Sequence, residues 1–295
     1  MLSEYKRRWD TDGWCVVPDV VPPEDLAAAQ AGLSRLFPTA EEFAADPDSH
    51  RNRPYQSWDG VKPQFPFESQ ALNRLTVHDA LIDLAEEMLG TDQLRLYQSL
   101  ASAKYSDGSA DYEQLLHADY ANHTLVVPRT DVGYQQVTMF VYLSDVTPQT
   151  AATRMVSLPH TVSIPVERTY LHLEDYADLY AREECASGPA GSVLVYRPDV
   201  YHRGVAMTAP RAARFQLAVA YKPENTDWLG SQAWPSRCED MAWHAFMRTA
   251  TLRQLTVLGF PEPGNAYWTT ATLDGVAARY PHLDMTPWRT AFADR

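Results

Sequence analysis

The sequence has few cysteines, no long apolar run and no surplus of basic residues. Its three cysteines, Cys15, Cys185 and Cys238, are widely separated and form no C-x-x-C pair, which argues against a disulfide framework or a cysteine zinc site. No apolar stretch approaches the ~20 residues that cross a membrane, so we expect no membrane association. The net charge of −13 argues against nucleic-acid binding, because neutralising phosphates requires an excess of Lys and Arg.

The chain also lacks internal repeats, low-complexity tracts and obvious linkers. The first residues, MLSEYKRRWD, are basic but have no apolar segment behind them, so we expect a cytoplasmic protein. With 295 residues, 45% of them hydrophobic, the chain is long enough to bury a sizeable core. We predict a single domain over residues 1–295.

The central part of the chain reads as a series of short strands. In "YQQVTMFVYLSDV", Val137, Met139 and Val141 share one face and Thr138 and Phe140 the other, as in a strand. Several such runs between about residues 94 and 222 predict an antiparallel barrel or two-sheet jelly roll. Helical segments precede this core, including one that ends at Gly90, and a Trp-rich helical extension follows it.

The stretch "LLHADYANH" places His117 and Asp119 two positions apart. In an extended chain such side chains point to the same face, so both could bind one metal ion. His202, which closely follows the apolar run "GSVLVY", is the candidate third ligand. Two histidines and one carboxylate leave coordination positions open, as is typical of Fe(II) oxygenases, whereas zinc sites more often close with four ligands. Taken alone, the His117–Asp119 pair could instead be a hydrogen-bonded turn that binds no metal.

Arg214, at the start of "RFQLAVAY", is the candidate for a second function at this site. The next strand of a barrel would bring it into the same cavity, and arginine binds carboxylates through two parallel N–H groups. A dicarboxylate such as 2-oxoglutarate could chelate the metal with one end and pair with an arginine at the other. Arg211 is a rival for this role, and Arg214 could instead face water at a strand edge.

The order of several motifs resembles the phytanoyl-CoA dioxygenase family. These motifs lie between about Asp12 and Tyr221 and read "DGWCVVPDVVPPEDL", "HADY", "VYLSDVTPQTAATRMVSLPHT" and "GSVLVYRPDVYHRG", followed by Arg214 with "LAVAY". The resemblance implies a mainly β chain with flanking helices, folded as a double-stranded β-helix (jelly roll). It also implies an enzyme that uses Fe(II), 2-oxoglutarate and O₂ to oxidise an unactivated C–H bond of a small molecule, usually by hydroxylation, with desaturation, ring closure and epimerisation left open. Because no basic cluster suited to CoA phosphates stands out, we expect a substrate from secondary metabolism.

The resemblance assigns roles to individual residues. His117, Asp119 and His202 match the iron ligands, and Arg214 matches the arginine that binds the far carboxylate of 2-oxoglutarate. Lys104 and Thr138 are further candidates for contact with 2-oxoglutarate. An aspartate at position 119 argues against a halogenase of this family, in which a small residue leaves room for chloride.

The loop before His160 departs from the family pattern. Ala151 or Ala152, and Leu158, stand where the family has glycines, which suit a backbone with positive φ. We therefore expect this loop to have a different shape, and we expect His160 to be structural.

The candidate substrate contacts are Tyr97, Tyr120, His123 and Trp58. Tyr97 could instead fill the barrel, and His123 could be a solvent-facing loop histidine. The segment that contains Trp58 and Phe65 could form a lid or pack on the sheet, and the latter is favoured. The later tryptophans Trp228, Trp234 and Trp243 are more typical of a core or an interface.

Two other functions remain open. A cupin-type jelly roll would share the metal ligands without needing 2-oxoglutarate or Arg214, and a non-catalytic binding domain could keep the same fold. We expect a monomer or a homodimer.

Overall fold

The computed structural model describes residues 2–48, 63–119, 136–165, 168–224, 226, 234 and 240–294. Among these residues, no helix is both long and apolar enough to cross a membrane.

Two five-stranded antiparallel sheets form the centre of the protein. The major sheet has the order β1-β8-β4-β10-β2 and the minor sheet the order β6-β3-β9-β5-β7. Their strands are β1 (Trp14–Val17), β2 (Leu94–Tyr105), β3 (Leu116–His117), β4 (Val137–Tyr142), β5 (Arg154–Val156), β6 (Tyr170–Leu171), β7 (Glu184–Cys185), β8 (Val193–Tyr196), β9 (Tyr201–Arg203) and β10 (Ala213–Pro223). This arrangement confirms the predicted double-stranded β-helix.

Helices precede and follow the strands β2 to β10, as predicted, and one further helix lies between β6 and β7. They are α1 (Leu2–Asp12), α2 (Pro23–Leu33), α3 (Ala40–Ala45), α4 (Gln70–Thr76), α5 (Asp79–Leu89), α6 (Leu173–Tyr180), α7 (Met241–Met247), α8 (Leu252–Val257), α9 (Thr270–Arg279) and α10 (Thr286–Ala293). Helix α5 ends at Gly90, which has the left-handed φ of 67° that a glycine accepts without steric cost.

The outer face of the major sheet packs against helices in one apolar cluster. Val137, Met139 and Val141 of β4 belong to this cluster, which also includes Trp9 near the start of the chain and Trp288 near its end. The alternate residues of β4 point to the other sheet, so the predicted alternation is confirmed. The single-domain organisation remains a prediction, and this shared core supports it.

Strand β1 extends the jelly roll beyond the predicted range of about 94–222. It pairs with β8 along its whole length, with Trp14 opposite Tyr196. The sequence predicts a short strand here, but four residues separated from the other strands by more than 70 positions give no sign of their sheet partner.

The strands of the minor sheet are only two or three residues long. Its outer face buries Leu116, Val156, Leu171 and Tyr201 in a separate apolar cluster, together with Leu179 of α6. Because side chains alternate along a strand, the residues between these point inwards, towards the major sheet. His117 and His202 are on that inner face.

The loop after β4 keeps one backbone feature that a glycine would favour. Ala151 has φ 63° and ψ 51°, in the left-handed region, and is fully buried. Its carbonyl oxygen accepts a hydrogen bond from Arg214 Nη1. At this position the sequence predicted a different loop shape, and the structure instead shows the glycine-like conformation with an alanine in it. Leu158, by contrast, begins a short 3₁₀ turn over Leu158–His160.

The strain at Ala151 can be tested by replacing it with glycine. The left-handed conformation costs a non-glycine residue about 1–2 kcal/mol, and Ala151→Gly removes this cost. The gain offsets the loss of a buried methyl group and the greater flexibility of the unfolded chain. We therefore expect the free energy of unfolding to change by less than about 1 kcal/mol. Ala152→Gly is the control, because Ala152 is equally buried but has no positive φ. We expect it to lose about 1–2 kcal/mol in urea unfolding. Equal losses in the two variants would contradict strain at Ala151.

Candidate metal centre

The two histidines of the predicted metal site face each other across two neighbouring strands. His117 ends β3, His202 is the middle residue of β9, and the two are direct partners in the antiparallel pairing. Their ring centroids are 4.6 Å apart, and both side chains are almost fully buried. The strand pairing therefore sets the separation of the two imidazoles.

Asp119 reaches the same point from the chain that leaves β3. Its Oδ1 lies 3.9 Å from His117 Nε2 and its Oδ2 lies 3.6 Å from His202 Nε2. One potential ligand atom from each of the three side chains lies within 4.8 Å of the others. The structure thus brings together the three residues that the sequence singled out from distant positions.

Backbone carbonyl groups fix the tautomer of both histidines. His117 Nδ1 lies 2.9 Å from the carbonyl oxygen of Leu115, and His202 Nδ1 lies 3.0 Å from that of Val200. A carbonyl oxygen only accepts hydrogen bonds, so each Nδ1 carries the proton and donates it. In the neutral ring, Nε2 then has its lone pair free and faces Asp119, as a metal ligand requires.

Burial keeps His117 neutral. Desolvation and the neighbouring His202 lower the pKa of His117 to about 4, against the opposing effect of Asp119. At pH 7 the imidazole is therefore uncharged, which is the form that binds metals.

The donor set fits an iron ion. Two metal–ligand bonds of about 2.1 Å at a right angle hold their donor atoms about 3 Å apart, slightly closer than the present nitrogen–oxygen spacings. Rotation of the aspartate about its soft χ2 angle can close such a difference. Two imidazoles and one carboxylate on one side of an ion are the ligands of the non-haem Fe(II) oxygenases and leave three positions open.

Tyrosine and threonine side chains of the major sheet support Asp119. Tyr196, the last residue of β8, donates a hydrogen bond to Asp119 Oδ2 over 2.8 Å. Thr138 lies opposite Tyr196 in the sheet, and its hydroxyl accepts from Gln136 Nε2 at 3.1 Å. Burial and the Asp119 carboxylate raise the pKa of Tyr196 well above 10, so its hydroxyl keeps its proton. Sequence reasoning missed Tyr196, although its place on the inner face of "VLVY" was a signal.

Arg214 and Lys104 lie side by side on neighbouring strands at the predicted cosubstrate end. They are direct partners in the pairing of β10 with β2, and both are 9% exposed. Arg214 donates to the carbonyl of Ala151, and its Nε has no hydrogen-bond partner within the described part of the chain. Arg211, the rival, is exposed at a turn with φ 51°.

Lys104 has protein partners rather than a free ammonium group. It donates to the carbonyl of Val205 and lies 3.5 Å from Asp111 Oδ1.

Thr138, the other candidate for contact with 2-oxoglutarate, does not lie beside Arg214. It is level with Ala220 of β10, and the six positions from there to Arg214 span about 20 Å of extended chain. The two residues therefore do not contact the same carboxylate, and contact of Thr138 with 2-oxoglutarate stays a prediction.

A row of polar side chains fixes the segment that follows His202. Side chains of residues 111–114 accept hydrogen bonds from backbone N–H groups of residues 204–207: Gln114 from Gly204 at 2.7 Å, Glu113 from Ala206 at 3.0 Å and Asp111 from Met207 at 2.7 Å. Arg203 pairs with Glu183 as well. These contacts fix the backbone between His202 and Arg214 in one conformation.

The predicted substrate contacts have different outcomes. Tyr97 is 2% exposed and hydrogen-bonds to Thr138, so it fills the barrel rather than facing an open mouth. Tyr120, His123 and Trp58 lie outside the described residues, as do Trp228 and Cys238. Tyr170 of β6, which the sequence did not single out, is opposite His117 and half exposed, with its ring 6.0 Å from the histidine ring. It lies at the rim of the site.

Other aromatic residues belong to the core. Phe65 is fully buried and packs edge-on against Trp234 and Trp243, which confirms packing rather than a lid for this residue. A surface groove of about 360 Å³ between α2 and the major sheet includes Phe215. Phe215 adjoins Arg214, so it points to the opposite face of the sheet, and the groove is separate from the metal site.

Comparisons with solved structures agree with this fold. The chain resembles the non-haem α-ketoglutarate-dependent epimerase SnoN of nogalamycin biosynthesis, with 20% identity, a TM-score of 0.54 and coverage of 75% of this chain and 80% of that one. It resembles HygX from Streptomyces hygroscopicus, crystallised with nickel and 2-oxoglutarate, with 19% identity, a TM-score of 0.54 and coverage of 75% and 86%. The carbocyclase SnoK of nogalamycin biosynthesis gives 19% identity, a TM-score of 0.54 and coverage of 79% and 89%.

At these identities the structural comparisons establish the fold alone. A search of curated protein sequences finds no match. The sequence profile of the family described as Phytanoyl-CoA dioxygenase (PhyH) matches residues 9–214, which include His117, Asp119, His202 and Arg214. This chain therefore belongs to the phytanoyl-CoA dioxygenase family.

Proposed function

We propose that this chain is an Fe(II)- and 2-oxoglutarate-dependent dioxygenase that hydroxylates an unactivated C–H bond of a small molecule. The observation that supports this most is the convergence of His117, Asp119 and His202 at one buried point, with both Nε2 atoms directed at the carboxylate. These three residues would hold the iron. When bound, iron and 2-oxoglutarate would couple the activation of O₂ and the loss of CO₂ to oxidation of the substrate.

The charges near Arg214 favour a carboxylate ligand. Among the described residues, the buried carboxylate nearest to the two buried cations Lys104 and Arg214 is Asp111, and the more exposed Glu113, which pairs with Arg203, also acts on Lys104. Two buried cations beside one buried carboxylate in a region of low dielectric favour an anionic ligand, since a buried charge without a partner is costly. Together with the unpartnered Nε of Arg214, this supports binding of the far carboxylate of 2-oxoglutarate by Arg214, with Lys104 adding positive charge.

The chain's own residues would also keep water from the reaction. His117 and His202 are 8% and 5% exposed, and Tyr196 and Phe140 lie beside them on the inner face of the major sheet. Such a dry surrounding strengthens electrostatic contacts and prevents side reactions. The half-exposed Tyr170 is a candidate substrate contact at the rim, in addition to Tyr120, His123 and Trp58.

We propose a substrate from secondary metabolism. Support comes from the relatives with the same fold: SnoN and SnoK belong to nogalamycin biosynthesis, and HygX has been crystallised with hygromycin B bound. SnoN is an epimerase and SnoK a carbocyclase, so this fold also accommodates outcomes other than hydroxylation. The expected cytoplasmic location and the monomeric or dimeric state stay predictions.

The metal site is tested with Asp119→Ala. Removing the only charged ligand should weaken Fe(II) binding by more than about a hundredfold, since losing even an outer-shell partner costs about 10–100-fold. Anaerobic Fe(II) and 2-oxoglutarate should give a visible charge-transfer band with the wild type and none with this variant. Asp178→Ala, at an exposed position on α6, is the control and should keep the band. A wild type that shows neither the band nor succinate formation would exclude the proposed reaction in favour of a cupin-type site or a binding domain.

The cosubstrate site is tested with Arg214→Ala. A hydrogen bond to a charged group contributes about 1.5–3 kcal/mol, so we expect the Kd for 2-oxoglutarate to rise about ten- to a hundredfold while Fe(II) binding is kept. Arg211→Ala removes an exposed arginine close by and should leave both affinities unchanged. Calorimetric titration of both variants decides between the two arginines. Normal 2-oxoglutarate binding by Arg214→Ala would show that another group holds that carboxylate.

Binding of 2-oxoglutarate should weaken as the pH rises through about 8, where Lys104 loses its charge. Burial and the adjacent Arg214 lower the pKa of Lys104 to about 8, against the opposing effect of Asp111. Loss of that charge removes the net positive charge of the cluster. We expect the Kd to rise about tenfold from pH 7 to pH 9.5, which corresponds to about 1.4 kcal/mol.

Lys104→Met supplies the control, because its 2-oxoglutarate affinity should not follow this pH profile.

The same pKa has an opposite effect on the stability of the ligand-free protein. Between about pH 8 and 10.5 the unfolded chain binds more protons at Lys104 than the folded chain, so the free energy of unfolding should rise with pH relative to Lys104→Met. Identical pH profiles for the two proteins would contradict a lowered pKa at Lys104.

A further inference from the structure

We propose that Tyr196 is a positioning residue for the metal-binding carboxylate. Its hydroxyl group holds Asp119 in one orientation, occupies Oδ2 and thereby sets the affinity of the site for divalent metal. The inference rests on the proposed function, since it concerns the ligand role of Asp119.

The position of Asp119 explains why it needs such a partner. Strand β3 ends at His117, so Asp119 lies beyond the end of the strand. The nearest backbone contact on its N-terminal side is the hydrogen bond from the Ala118 N–H to the carbonyl of Thr169, at 3.1 Å. An aspartate carboxylate rotates over a broad range of χ2, and an unsupported one would sample many orientations. The hydroxyl of Tyr196, 2.8 Å from Oδ2, restricts that rotation.

Tyr196 is itself held rigidly. It is 1% exposed, and it pairs with Thr138 of β4 on one side and with Trp14 of β1 on the other. Its ring packs edge-on against Phe140 at 5.4 Å and lies 4.8 Å from the ring of His202. A donor on a central strand with a fixed ring is more precise than one on a loop, so Tyr196 can define where the carboxylate sits.

A chain of polar groups continues behind Tyr196. Thr138 is the cross-strand partner of Tyr196, and its hydroxyl accepts a hydrogen bond from Gln136 Nε2 at 3.1 Å. The chain from Gln136 through Thr138 and Tyr196 to Asp119 is buried at every residue before the carboxylate. Thr138 therefore supports Asp119 indirectly, through Tyr196.

Two effects of the tyrosine hydroxyl on metal affinity oppose each other. Donation to Oδ2 withdraws charge from the carboxylate and weakens its donor strength, whereas fixing the carboxylate removes the cost of ordering it at binding. Loss of an outer-shell partner weakens metal binding by about 10–100-fold in general, so the ordering effect is expected to dominate. Because Tyr196 contacts Oδ2, Oδ1, which lies 3.9 Å from His117 Nε2, is the oxygen that would bind the metal, and a single oxygen ligand leaves more coordination positions for cosubstrate and O₂.

The test is Tyr196→Phe, which removes the hydroxyl and keeps the ring. We expect anaerobic titration of the metal-free protein with Fe(II) or Co(II) alone to show at least about tenfold weaker binding. Tyr221→Phe is the matched control: Tyr221 is fully buried in the same sheet on its outer face, and its hydroxyl donates to the carbonyl of Thr76 at 2.6 Å. It should lose a similar amount of thermal stability with no loss of metal affinity.

A double-mutant cycle shows whether Tyr196 acts through Asp119. In an Asp119→Ala background, titrated with the more tightly bound Ni(II), Tyr196→Phe should cause no further loss of affinity. A loss that persists there would overturn the positioning role, as would a Tyr196→Phe protein that binds metal like the wild type. A wild-type protein that binds no Fe(II) or Co(II) would instead remove the proposed function, and this inference with it.

Discussion

The antiparallel pairing of β3 with β9 is the contact on which the site depends. It sets His117 directly opposite His202, and the backbone carbonyls of Leu115 and Val200 turn both rings so that Nε2 points inwards. Both strands are very short, so few hydrogen bonds within the minor sheet hold this register. This register is also held by the major sheet, by the packing around α6 and by the polar contacts between residues 111–114 and 204–207. A shift of one residue in the pairing would turn one histidine away from the other.

The interior of the jelly roll has two polar ends with different chemistry. Two imidazoles, a carboxylate and a tyrosine hydroxyl form one end, and two buried cations with the nearby carboxylate of Asp111 form the other. The first suits a metal cation and the second an anion, so a ligand that carries a metal-chelating group and a remote carboxylate fits the charges at both. This division explains why the residues of the site come from both sheets.

The sequence was sufficient to predict the long strands and the clustering of His117 with Asp119, because both depend on local patterns. Alternation of apolar residues identified β4, and the spacing of His117 and Asp119 suggested one face of an extended chain. The pairing partner of β1 and the existence of β6 and β7 were not predictable, since strands of two to four residues have too few positions to show a period. Tyr196 was missed for a similar reason: its hydroxyl matters only because the fold brings it to Asp119. The conformation of Ala151 was also beyond prediction, since an alanine gives no sign of a positive φ that its surroundings impose.

The pairing of Trp14 with Tyr196 links the beginning of the described chain to the candidate metal centre. Trp14 also donates its indole N–H to Ser157 at 3.1 Å, next to the turn that contains His160. Residues 14–17 thus cover the outer edge of β8, the strand whose Tyr196 donates a hydrogen bond to the Asp119 carboxylate. A shortened protein that begins after this strand would expose the edge of β8 and loosen the support of Asp119, which lies more than a hundred positions later in the sequence.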